Sequence, residues 1–176
     1  MDQERTAEER IAHSIAEAHH HLGEHPDAAR YRDSVATATI GAGLRVLVQG
    51  DDGASVFTDM PAGVGGGASA PSPGWLLRAA AASCVATLIS MRAAELGVDL
   101  PGLQVTVDSE SDDRGMLGMD DTVPPGPLAV RVMVRVDRSA VGEVTLREII
   151  RWGKEHCPIC DAIGRAVPVE LAIRID

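Results

Sequence analysis

Apolar positions recur along this chain with two different periods. Between Pro71 and Leu96 (PSPGWLLRAAAASCVATLISMRAAEL), Leu77, Cys84, Leu88 and Met91 fall at helical spacing. That spacing predicts one helix whose apolar stripe turns Cys84 inward. Its ends are marked as well. Ser72 suits an N-cap, because its hydroxyl can accept a hydrogen bond from a free N–H of the first turn. Pro73 fits the first helical position, where no N–H is needed. Gly97 suits the left-handed residue that closes a helix. The run Ala79 to Ala82 leaves room for another backbone to approach closely.

Elsewhere the period is two. Val35 to Ile40 is β-prone, Leu44, Val46 and Val48 alternate, and Asp51-Asp52-Gly53 turns the chain into Ala54 to Thr58. This predicts a hairpin or three-stranded meander. Leu103 to Val107 and Leu128 to Val136 alternate in the same way, as does the closing stretch Val167, Val169, Leu171, Ile173 and Ile175. Thr145 and Glu148 form a capping box that predicts a second helix, ending near His156 because Pro158 disfavours helix in the residue before it. A short helix is expected from Pro158 to Gly164. Residues 4 to about 29 read as a polar helix, in which the neighbouring His19, His20 and His21 cannot all face one way. A solvated face therefore outweighs a metal site built from His13, Glu17 and His20. The glycines at 63 and 65–67 lack the G-K-[ST] ending of a phosphate loop and read as a flexible approach to the central helix. The acidic stretch Asp112 to Pro127 reads as a surface loop of the kind that also serves as a lid. The order of elements is α+β, with antiparallel sheets around a central buried helix.

Composition narrows the function. Hydrophobic residues make up 45% of the 176 residues and charged residues 24%, a globular balance. Aromatics are only 2%, so the core must be built from Val, Leu, Ile and Ala. The net charge of −10 argues against nucleic acid as a partner, since phosphate binding needs a basic footprint. The opening MDQERTAEER has no apolar leader, and the longest apolar window, Ala79 to Met91, is bracketed by arginines and short for a bilayer. The expectation is a cytoplasmic protein with no membrane partner, whose three cysteines are reduced at rest.

The densest chemistry is His156-Cys157-Pro158-Ile159-Cys160. If Pro158 starts a helix, Cys157 sits at its N-cap, where the positive end of the helix favours thiolate. The position of this CxxC near the end of the chain, rather than after an early strand of a βαβ unit, weakens a thioredoxin reading. Cys84, Cys157, Cys160 and His156 also make up a Cys₃His ligand set for structural zinc. The plain alternative is that the cysteines are small core hydrophobes.

The segment PSPGWLLRAAAASCVATL, followed by CPIC at 157–160, resembles the OsmC/Ohr family of osmotically inducible and organic hydroperoxide resistance proteins. The likeness extends to the meander TATIGAGLRVLV…DDG, the glycine-rich approach and the terminal stretch, about residues 34–176, leaving 1–33 as an N-terminal helical extension. The resemblance implies an OsmC-like α+β fold built as an intertwined homodimer. It implies that Cys84 attacks an organic hydroperoxide and that Cys157 resolves the resulting sulfenic acid to a Cys84–Cys157 disulfide. An external, lipoyl-like dithiol would then reduce that bond, with no metal or flavin cofactor, in defence against oxidative or osmotic stress. Peroxidase members carry an acidic residue at the positions held here by Gly74 and Trp75, working with an arginine for which Arg45 is the candidate. Cys160 is an added thiol with a possible auxiliary role, and Cys157–Cys160 is the competing disulfide, expected as the minor product. The divergent OsmC-like branch, with a redox sensor or small-ligand binder as the alternative function, accommodates the missing carboxylate.

Overall fold

The computed structural model describes residues 5–137 and 139–175. Helix α1 spans Ala7–Glu24 and is followed by a 3₁₀ turn at Pro26–Ala29. Strands β1 (Ala36–Ile40), β2 (Val46–Gly50) and β3 (Ser55–Thr58) form an antiparallel meander, with Ala38 opposite Val48 and Val48 opposite Val56. Helix α2 runs from Pro73 to Glu95. Strands β4 (Gln104–Glu110) and β5 (Ala129–Arg135) pair as a second sheet. The one-turn helix α3 (Asp113–Met116) lies between them in sequence, and α4 (Glu143–Glu155) and α5 (Pro158–Gly164) follow.

The chain makes two compact units. One comprises Ala81–Val107 and the chain from Val130, with the start of α1; the other comprises His13–Ala80 and Asp108–Ala129. In the first, Val85, Ile89 and Ala93 of α2 meet Ile149 of α4 and Cys157, with Val105, Val132 and Val134 of the strands packed against them. α4 approaches α2 closely because residue 153 is glycine. A Cβ there would lie 2.5 Å from Ile89 Cγ1 and 2.8 Å from the Ile89 nitrogen. In the second unit the meander is largely exposed, and all five residues of β1 face solvent.

The ends of α2 are as expected: Trp75 N–H donates to Ser72 Oγ at 3.2 Å, and Gly97 has φ +63. The buried stripe differs by one position. It is Ala81, Val85, Ile89 and Ala93, and Cys84 lies half-buried on its flank. The crossing at Gly153 centres on Ile89, which turns Leu88 and Met91 to the side. The capping box does not start α4 either. The helix begins at Glu143 after Gly142, with no side-chain cap, and Glu143 gains from the helix dipole and from an ion pair with Arg147 at 2.5 Å. By length and composition α2 could cross a membrane, yet its Val85–Ile89–Ala93 stripe is spent on the core.

The largest difference is at the end of the chain. Residues 167–175 join no sheet within the described chain, although their apolar side chains alternate as predicted. Val169 is 92% exposed and Ile175 91%. Alternation records that one face is to be buried, but not which chain supplies the partner strand.

Candidate functional site

Pro158 starts α5 and leaves Cys157 as its N-cap, with φ −75 and ψ 111. The Cys160 N–H donates to the Cys157 sulfur at 3.3 Å, and Cys84, Ile159 and Cys160 pack against the buried cluster that Cys157 belongs to. Cys157 is completely buried, and burial alone would raise its pKa. Hydrogen bonding at the start of α5, led by the Cys160 N–H, outweighs burial and holds the thiol below its ordinary value.

Cys84 and Cys160 move the other way. Burial, and then the thiol's hydrogen bond to Cys157, push the Cys84 pKa up, opposed by the Ile159 N–H. The same two causes, joined by the charge of Cys157, push Cys160 up to about 11. All three cysteines are free thiols. The arrangement is one buried sulfur with a lowered pKa and two half-buried thiols packed around it, one on α2 and one a turn ahead on α5.

The zinc alternative finds no support in the placement of His156. Its ring stacks on Trp152, with centroids 4.1 Å apart, and its Nδ1 lies 2.8 Å from the Trp152 carbonyl oxygen. Among the described residues, no group of three or more His, Cys, Asp or Glu is placed to hold a metal ion. Arg45 is engaged within the meander, its guanidinium carbon 4.3 Å from the centre of the Phe57 ring. No cation figures among the groups that shift Cys84.

Two side chains in the other unit escaped the sequence reading. Asp59 is buried, and it gathers the glycine-rich approach to α2. Its carboxylate accepts from the Ser69 N–H and hydroxyl, the Met60 N–H and the Gly67 N–H, at 2.8 to 3.2 Å. The Ser69 bonds lead in holding its pKa at about 2. No periodicity marks such a residue; the only signal is a lone acid before a loop rich in Gly, Ala and Ser. Arg78 donates to Ser109 Oγ at 3.2 Å and lines a cavity of about 340 Å³ with Met60, Val64, Leu77, Met116 and Pro127. A lone charge inside an apolar helix was its signal. A Cβ at Gly74 would find Arg78 Nη1 at 3.9 Å, so position 74 faces Arg78 across one helical turn.

A family model described as OsmC-like protein matches residues 65–172. No curated protein matches the sequence. Among solved structures, the chain is similar to an OsmC-like protein from Mycoplasma pneumoniae, with a TM-score of 0.63 and 15% identity, over 77% of this chain and 89% of that one. It is similar to an organic hydroperoxide resistance protein OsmC from Legionella pneumophila, with a TM-score of 0.59 and 21% identity, over 76% and 90%. An organic hydroperoxide resistance protein from Elizabethkingia anophelis gives a TM-score of 0.56 and 18% identity, over 76% and 89%. At these identities the likeness is one of fold. The family model spans more than half of the sequence, and the chain belongs to the OsmC-like protein family.

Proposed function

We propose that this chain reduces organic hydroperoxides in a peroxide-related stress response, using Cys84 as the attacking thiol and Cys157 as the resolving one. The packing of Cys84 of α2 against the buried cluster that includes Cys157 carries the reading, because it gathers both cysteines within one unit. Family membership and the solved hydroperoxide resistance proteins of like fold support it. Cys84, as thiolate, attacks the O–O bond, releases an alcohol and becomes a sulfenic acid. Condensation with Cys157 expels water and forms a disulfide, which an external dithiol reduces. The reaction asks nothing of a metal or flavin, and its cytoplasmic setting keeps the thiols reduced between turnovers.

A second copy of the chain completes the protein in this reading. The bare faces of the meander and the alternating tail at 167–175 would be covered in an intertwined homodimer. A dihydrolipoamide-coupled assay with cumene hydroperoxide tests the function. Turnover should appear in the wild type and vanish in Cys84→Ser; equal consumption by both proteins would refute it.

One observation favours a slower second reading. Gly74 supplies no carboxylate, and Cys84 holds its proton more tightly than an ordinary thiol. A sensor or small-ligand binder needs only one oxidation or binding event per signal. A kcat/KM several orders of magnitude below about 10⁴ M⁻¹s⁻¹ would favour that role.

A further inference from the structure

Cys160 is the one thiol that the proposed cycle leaves without a task. It stands three residues after Cys157 in the first turn of α5, where side chains at that spacing are neighbours. Its N–H lies 3.3 Å from the Cys157 sulfur, and Cys84 of α2 packs against the same buried cluster, to which Cys157 belongs. Cys157 is thus the common neighbour of two thiols on different helices. It is wholly buried, whereas both of those thiols are half-buried.

We propose that Cys160 takes the disulfide over from Cys84 by attacking Cys157, so that the oxidised chain rests as a Cys157–Cys160 pair with Cys84 reduced. This step rests on the reading of Cys84 as the entry point for the peroxide. After Cys84–Cys157 has formed, the Cys160 thiol gives its proton to solvent and its sulfur bonds to the Cys157 sulfur. The Cys84–Cys157 bond breaks, its electron pair leaves on the Cys84 sulfur, and that sulfur takes up a proton. One disulfide replaces another, and no electrons enter or leave.

The surroundings of Cys160 time the step. Burial is the first cause of its raised pKa, and the hydrogen bond and charge of Cys157 are the next two, with Lys154 pulling weakly the other way. Disulfide formation at Cys157 removes that charge and that acceptor. Two of the three influences that hold the proton on Cys160 therefore lapse once Cys157 is oxidised, while burial, the first of them, remains. The half-buried Cys160 sulfur then faces the external dithiol, and Cys84 is free for a second hydroperoxide. This makes the CxxC disulfide the end product rather than the minor one expected from sequence.

Two measurements on the full-length reduced protein test the relay. In the first, cumene hydroperoxide is added without reductant, and thiols are alkylated at successive times and mapped by mass spectrometry. Cys84–Cys157 should form first and convert to Cys157–Cys160 at a rate independent of peroxide concentration. The wild type should consume about two hydroperoxides per chain, the second leaving Cys84 as sulfenic acid, and Cys160→Ser about one. A wild type that stops at Cys84–Cys157 after one equivalent would overturn the relay. The second measurement needs no peroxide: in a glutathione redox buffer the singly oxidised isomers equilibrate. Cys157–Cys160 should exceed Cys84–Cys157 by about tenfold or more, the preference that a downhill transfer requires. A majority of Cys84–Cys157 would overturn the relay even if peroxidase activity is present. If all thiols survive hydroperoxide while the buffer favours Cys157–Cys160, the peroxidase reading falls and the isomer preference stands.

Discussion

At the scale of residues, the thiol held below its ordinary pKa is the one that resolves, and the one that attacks is held above it. Cys157 caps α5 and accepts the Cys160 N–H, whereas burial leads in raising the pKa of Cys84. The reacting form of Cys84 is its thiolate, and its pKa lies above the ordinary thiol value. The sign follows directly. Below that pKa the thiolate fraction falls about tenfold for each unit of falling pH. The rate of Cys84 oxidation by cumene hydroperoxide should therefore climb through pH 7 and 8 without a plateau, followed by stopped-flow in Cys160→Ser. A plateau already reached at pH 6 would mean that a cation stabilises the Cys84 thiolate. The N-cap position of Cys157 was legible in sequence, because a proline after a cysteine announces it, whereas the partnership with Cys84 came only from the family resemblance. The proton distribution was only half legible. Burial of Cys84 follows from its helix, but the sharing of one sulfur by two thiols depends on how α2 and α5 pack.

Among the elements, the contact of α2 with α4 sets where Cys157 sits, since Ile149 and Cys157 close the same core around Ile89. Gly153 allows that contact, and its Cβ-free face meets Ile89 backbone as well as side chain. Gly153→Ala should destabilise the protein by about 1–3 kcal/mol, the usual cost of overpacking. Chemical denaturation measures this, and a change under about 0.5 kcal/mol would show that the helices slide apart freely. The sequence located α2 and α5 well because caps and prolines are local signals. It misplaced the start of α4, where a capping-box pattern at Thr145 lies inside a helix that Gly142 begins without a cap. It also rotated the α2 stripe by one position. Helical periodicity alone could not choose between Cys84–Leu88 and Val85–Ile89; a glycine on another helix made the choice.

For the whole molecule, the exposed apolar surface asks for a partner, and a second copy is the proposed one. Val169, Leu171, Ile173 and Ile175 are between 72% and 92% exposed in the single chain. The alternation was plain in sequence, but no rule of periodicity states whether a strand pairs within its chain or with another. Leu171→Asp together with Ile173→Asp would bury two charges in the proposed interface. Each is costly enough to raise the dimer dissociation constant by at least about tenfold. Sedimentation equilibrium reads the shift; a wild type that is monomeric at micromolar concentration would remove the interface. The central claim, however, is chemical. It is tested most directly in a chain carrying Cys157→Ser and Cys160→Ser, where Cys84 is the only sulfur of its kind left. One equivalent of cumene hydroperoxide with dimedone should release one equivalent of alcohol and place the adduct on Cys84. A correctly folded variant that releases no alcohol and carries no adduct would contradict the account.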